Sequence, residues 1–214
     1  AYEVGYGLGM FHQLIADLPS EQLRDTLEGF HITPSYLADY DAVAAQASVP
    51  LTTQESHCHQ FIAERAPWAS VLEDAKQAGD LSLRPIHGDP KVNNLMMDAE
   101  SGKAIALVDL DTVKPGLVHY DIGDCLRSGC NALGEETLKP EEVVFDLERC
   151  EAILSGYLET AGQTLSDADH RYLFDSIRLI PFEFRLIPPE FRLIPLEFRL
   201  IPLEFRLIPL ELRL

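Results

Sequence analysis

The chain has 214 residues, 46% of them hydrophobic, enough apolar material to bury a core and to form one main domain with an appendage. A formal net charge of −18 leaves no basic patch for phosphate backbones or anionic headgroups, so nucleic acid and membrane are not expected partners, whereas an amine or a neutral sugar is compatible. No apolar run reaches the roughly 18 residues of a membrane span, no basic-then-apolar leader opens the chain, and Cys58, Cys125, Cys130 and Cys150 form no C-x-x-C pair, so a reduced, cytoplasmic protein is the expectation.

In chain order, residues 4–18 carry Leu8, Phe11, Ile15 and Leu18 at three- and four-residue steps, a helical period that Leu18-Pro19-Ser20 ends. Gly5, Gly7 and Gly9 fall inside that pattern, in the wrong frame for a phosphate loop, and read as close helix packing. Residues 21–31 read as a loop or short helix. Thr33-Pro34 then opens a helix to about residue 48, and Pro50 closes it. Residues 53–79 are again mostly helical, interrupted at Pro67; His57-Cys58-His59 lies here and reads as surface rather than as a metal cluster. Two short apolar runs, 95–98 and 104–108, flank the turn-rich segment 99–103 and predict a hairpin. Helices follow near 121–131, 140–161 and 166–180, which makes the fold class α+β and mostly helical.

The stretch His87-Gly88-Asp89-Pro90-Lys91-Val92-Asn93-Asn94, followed by Asp109-Leu110-Asp111, carries the chemistry. Moving a phosphoryl group requires a carboxylate facing the acceptor hydroxyl, a cation on the migrating oxygens and Mg²⁺ on oxygen ligands. Asp89 suits the first role. Lys91, two residues on, can point its ammonium into the same space, although a solvated charge is the other reading. Asn94 can offer an amide oxygen to the metal, in the order and spacing of the signature H-x-D-x-x-x-x-N. The predicted hairpin would bring Asn94, at the start of one strand, close to Asp109 at the end of the other. Singly, Asp109 and Asp111 are as well read as turn formers, and His87 as a structural histidine.

The segments HGDPKVNNLMMD and ALVDLDTVKPGLVHYDIGDCLRSG resemble the aminoglycoside phosphotransferase and choline kinase superfamily, most closely its N-acetylhexosamine 1-kinase-like branch, over roughly residues 2–180. The resemblance implies a protein-kinase-like C-lobe with a small catalytic β-hairpin, Asp89 as catalytic base and Lys91 on the transferring group and the nucleotide. It implies Asn94 and Asp109 as ligands of Mg²⁺ and ATP, with Asp111 as a second acidic position near the metal. His87 and Asp121 are implied to support the loop, and Asp124 reads as structural. The expected reaction moves the γ-phosphoryl of ATP to a hydroxyl of a sugar or an amino alcohol, with N-acetylhexosamine the favoured acceptor class. The resemblance opens within a C-lobe helix, so the family's N-lobe, with its glycine-rich cover and lysine, is expected to be absent from this sequence. The alternative reading is therefore a non-catalytic remnant or binding module, and a weaker one is a metal-dependent phosphatase.

A heptapeptide, R-L-I-P-x-E-F, begins at Arg178 and recurs at Arg185, Arg192, Arg199 and Arg206, the last copy ending in Leu212 instead of Phe. Proline once in every seven residues removes a backbone donor each time and predicts an irregular tail over 181–214 rather than a coiled coil, appended to a C-lobe of residues 1–180. Near identity of the copies points to duplication of a short coding segment seeded at 177–184.

Overall fold

The computed structural model describes residues 1–46, 50–135, 137 and 142–186. The end of the helix predicted to about residue 48, the start of that predicted over 140–161 and the repeat beyond residue 186 lie outside them. Among the described residues, seven α-helices and four short strands run in the order α1 (Tyr2–Ile15), α2 (Thr33–Ala44), α3 (Thr53–Arg65), α4 (Val71–Ala78), β1 (Arg84–Ile86), β2 (Leu95–Met97), β3 (Ala104–Leu107), β4 (Lys114–Gly116), α5 (Val118–Gly129), α6 (Leu147–Ala161) and α7 (Asp167–Leu186). The predicted hairpin is present: β2 and β3 pair antiparallel with Leu95 opposite Leu107. A second antiparallel pair, not foreseen, joins β1 to β4 with Ile86 opposite Lys114.

Helix α5 is the axis of the fold. All twelve of its residues are buried, and it packs chiefly on α7. Leu117, Ile122 and Leu126 meet Leu179, Ile180 and Phe182 in one apolar core that also takes in Leu72 and Ile86. Helices α1 and α6 form the closest pair. A Cβ on Gly5 would lie 1.7 Å from the Ile153 carbonyl oxygen and one on Gly156 2.1 Å from that of Tyr2, so glycine on each helix lets the two backbones touch. The glycines near the N-terminus thus serve packing.

Local chemistry sets several boundaries. The break at Pro67 is a single 3₁₀ turn over Ala66–Trp68 between α3 and α4. Residues 142–146 are not α-helical, because Phe145 bridges to Asn131; α6 starts only where the Asp146 carboxylate accepts from the Arg149 N–H at 3.1 Å. At α7, Ser166 Oγ accepts from the Asp169 N–H while the Asp169 carboxylate accepts from the Ser166 N–H, a reciprocal cap. Asp169 also binds Arg84, which ties the start of β1 to α7.

At its other end α7 departs from expectation. The sequence predicts a helix ending at residue 180, yet α7 continues through Pro181 to Leu186. A proline inside a helix costs about 3 kcal/mol. Phe182 and Leu186 are buried beyond it, with the Phe182 ring centroid 5.2 Å from that of Trp68, and burial of two such side chains returns about 1.5–3 kcal/mol each. Packing therefore outweighs the local penalty.

Candidate active site

The segment from His87 to Asn94 leaves the end of β1, crosses the N-terminal half of α5 and enters β2 through a 3₁₀ turn at Val92–Asn94. Nearly every backbone group around Asp89 has a partner. Asp121, fully buried in the first turn of α5, accepts from the His87 N–H at 2.7 Å and the Gly88 N–H at 2.9 Å, and also from His12 Nε2–H at 2.8 Å. Thr112 Oγ1–H donates to the His87 carbonyl at 2.8 Å, and His31 Nε2–H donates to the Gly88 carbonyl at 2.8 Å. The Asp89 N–H donates to His87 Nδ1 at 3.2 Å, while His87 Nε2–H donates to the Val108 carbonyl at 3.0 Å; these bonds fix the His87 tautomer. Further along, the Val92 N–H donates to Ser128 Oγ at 2.9 Å. Gly88 sits at φ +91°, and a Cβ there would come 2.5 Å from the Thr112 carbonyl oxygen, so only glycine fits this corner.

Asp89 projects from this braced turn. Lys91 Nζ donates to its Oδ2 at 2.8 Å, and Asn94 Nδ2 donates to its carbonyl at 2.8 Å and to Oδ2 at 3.4 Å. Burial raises the Asp89 pKa above the usual carboxylate range, the Asp124 charge raises it further, and Lys91 and Arg127 only partly offset them. Burial opposes the charge on Lys91, but its bond to Asp89 outweighs this and its pKa is raised. Asp124 itself is held by Arg127, whose Nε donates to Oδ1 at 2.7 Å, and Arg127 pairs in turn with Glu135. For Asp121, burial pushes the pKa up, yet the His12 bond and the two backbone N–H groups win and it is lowered.

The β2–β3 hairpin brings Asn94 to the end of the next strand, as its Val108-to-Asn94 backbone bond at 2.9 Å shows. Asp109 follows directly, exposed and in the left-handed region at φ +69°, a conformation that a non-glycine residue adopts at a cost of about 1–3 kcal/mol. Its carboxylate takes no hydrogen bond from any described residue, and the Asn94 amide bonds to Asp89 through its nitrogen, which leaves its oxygen without a donor among the described residues. Asp111 is exposed, accepts from Thr26 Oγ1–H through its backbone carbonyl, and borders an open groove of about 760 Å³ shared with Gln22, Thr26 and Leu27. Among the described residues no group of three or more His, Cys, Asp or Glu could hold a metal by itself. His57-Cys58-His59 lies on α3 with Cys58 exposed and His59 bonded to the Tyr40 hydroxyl.

Asp89, Lys91, Asn94, His87 and Asp121 thus lie in one hydrogen-bonded cluster, and Asp109 lies at its edge. Sequence reasoning missed His12, His31, Thr112 and Ser128, all remote in the chain from the turn they brace. Only the helical phase of Ser128, two turns beyond Asp121 on α5, carried a readable signal.

The sequence model of the APH phosphotransferase enzyme family matches residues 1–152. A solved structure described as aminoglycoside-3'-phosphotransferase of type VIII is similar at 18% identity and a TM-score of 0.45, over 86% of this chain and 61% of that one. The chain thus spans less than two thirds of that protein's length. The family match takes in α1 to α5, both strand pairs and the braced turn around Asp89, and the chain belongs to the phosphotransferase enzyme family.

Proposed function

We propose that the chain forms the kinase-like C-lobe of a small-molecule kinase, in which Asp89 acts on the acceptor hydroxyl while ATP gives up its γ-phosphoryl. The observation that carries this reading is a half-buried carboxylate with a raised pKa, held between Lys91 and Asn94 on a turn whose own backbone bonds are already made. Such a group is positioned before substrate arrives, and its pKa is moved toward that of a working base. The acceptor proton passes to Asp89, the acceptor oxygen forms its bond to the γ-phosphorus, and the bond from that phosphorus to the bridging oxygen breaks to release ADP. Lys91 then turns its ammonium from Asp89 to the oxygens of the migrating group.

The Asn94 amide oxygen and the Asp109 carboxylate suit Mg²⁺, a hard cation that takes one or two protein oxygens and completes its shell with water and phosphate. Asp111 would stand near as a further acidic group. Mg²⁺ bound there would supply charge neutralisation on the phosphate oxygens. Met96, Met97, Ile105 and Val108 carry exposed apolar side chains on and beside this hairpin, and we place the base of the nucleotide against some of them. The acceptor we favour is the hydroxyl of an N-acetylhexosamine-like sugar, with an amino alcohol as the near alternative; the chain's acidic charge is compatible with both. A two-metal phosphatase lacks its ligand set among the described residues.

Calorimetry with Mg·ATP and a coupled ADP assay with N-acetylhexosamines test the proposal together. Asp89→Asn should abolish turnover and keep Mg·ATP binding, whereas Asn94→Ala and Asp109→Ala should weaken binding. Unchanged turnover in Asp89→Asn would sink the assignment. Absence of saturable Mg·ATP binding to the chain would favour a non-catalytic module instead.

A further inference from the structure

His31 is fully buried, sits at φ +67° between Phe30 and the first turn of α2, and stacks on Tyr120 of α5 with ring centroids 5.4 Å apart. Both of its ring nitrogens face acceptors. Nδ1 lies 2.8 Å from Glu183 Oε1 and Nε2 lies 2.8 Å from the Gly88 carbonyl oxygen, while Thr33 Oγ1–H donates to Glu183 Oε2 at 3.0 Å. A neutral imidazole carries one N–H and would leave a lone pair against either the carboxylate or the carbonyl. Against an ionised Glu183 carboxylate, only the imidazolium satisfies both contacts.

We propose that His31 and Glu183 are positioning residues of the turn that carries Asp89, acting as a buried imidazolium–carboxylate pair that holds the Gly88 carbonyl. The peptide plane between Gly88 and Asp89 is then clamped at both ends, its oxygen by His31 and its N–H by His87 Nδ1. Rotation of that plane would swing the Asp89 carboxylate away from Lys91 and Asn94, so the clamp sets the direction of the base. The inference rests on Asp89 being that base. It also gives a role to the first copy of the C-terminal heptapeptide, because Glu183 lies within that copy, on the part of α7 beyond Pro181.

Burial works against the charge on His31, but the Glu183 carboxylate outweighs it and lifts the pKa to about 9 from 6.5. Asp124 on α5 adds to that lift, and Tyr120 on α5 and Tyr36 on α2 are the other titratable groups around the ring. Both tyrosines are held protonated through this range, mainly by burial.

The test is ¹⁵N NMR of the whole chain, labelled at histidine for the ring nitrogens and uniformly for the backbone amides, with Glu183→Gln and Glu183→Ala as variants. In the wild type, both His31 nitrogens should be protonated at pH 7.5 and should titrate near pH 9. A neutral His31 at pH 7.5 overturns the proposal and needs no variant to be seen. In Glu183→Gln the glutamine amide can donate to a neutral Nδ1, so His31 should lose its charge yet keep its bond to Gly88, and the Asp89 amide signal should stay in place. In Glu183→Ala that signal should shift, and kcat should fall roughly tenfold to a hundredfold with KM for ATP nearly unchanged. Glu183→Gln should restore most of kcat and remove the alkaline limb near pH 9. An unmoved Asp89 amide in folded Glu183→Ala would refute the clamp. Turnover that survives Asp89→Asn would instead refute the phosphotransfer reading, while leaving the NMR result to decide the clamp by itself.

Discussion

Asp89 and Asp121 lie on facing elements of one site, and neutralising each should have opposite consequences for stability. Asp121 accepts three hydrogen bonds with no exposure to water. In Asp121→Asn one oxygen becomes an NH₂ group. If the remaining oxygen faces Gly88, the NH₂ group can donate to a re-tautomerised His12 but confronts the His87 N–H; in the reverse placement it confronts the Gly88 N–H. Either way one buried backbone donor is orphaned, at about 1–3 kcal/mol, and the surviving bonds lose their charge assistance. The expected loss is therefore about 2–4 kcal/mol near neutral pH. The pH dependence follows the same logic: the folded-state pKa of Asp121 is lowered, so its contribution is present above the ordinary value of 3.8 and is lost as pH falls through the lower folded value. Asp89 is the converse case. Its folded pKa is raised, so its charge opposes folding at neutral pH, and Asp89→Asn should be neutral or slightly stabilising. Urea unfolding followed by fluorescence of Trp68, the sole tryptophan, measures both variants against wild type. A loss below about 1 kcal/mol in Asp121→Asn, or an equal loss in the two variants, would refute the division between brace and base.

Gly5→Ala places a methyl 1.7 Å from the Ile153 carbonyl oxygen, so α1 and α6 must separate, and the thermal midpoint should fall by an amount equivalent to about 3 kcal/mol or more. Pro181→Ala restores an N–H to an already helical position and should stabilise the chain by about 1–3 kcal/mol in the same urea assay; a loss would mean the proline is needed where it stands. Lys91→Met removes a cation that lowers the pKa of Asp89, so the acidic limb of the kcat/KM profile should move to higher pH, and an unmoved limb would place the titrating group elsewhere.

What the sequence made legible is what lies close together along it. The spacing from His87 to Asn94, the apolar runs around the 99–103 turn, and the return of the chain at Asp109 are local patterns, and they correspond to one turn and one hairpin in the fold. The β1–β4 pair escaped notice because each strand is three residues long and contains a proline, Pro85 in one and Pro115 in the other. The brace was half legible. Asp121 falls at a helix start shortly after the hairpin, where a carboxylate facing backbone N–H groups is expected, but His12 and His31 reach the site from 109 and 57 positions away in sequence and nothing in their neighbourhoods marks them.

The first heptapeptide shows how context decides what a short sequence does. Read as a repeat, Pro181 is the first of five regularly placed helix breakers, and periodicity argues for an irregular tail from that point. Pro181 nonetheless follows fourteen residues of helix already docked on α5, and beyond it three side chains gain contacts that the core holds ready: Phe182 against Trp68, Glu183 against His31 and Thr33, Leu186 in the apolar cluster. Nucleation is already complete there, so the proline costs one hydrogen bond and a local clash, and it does not have to be crossed by a helix forming anew. The same seven letters thus acquire structure from what precedes them, and Glu183 acquires its part in the site from the histidine it meets.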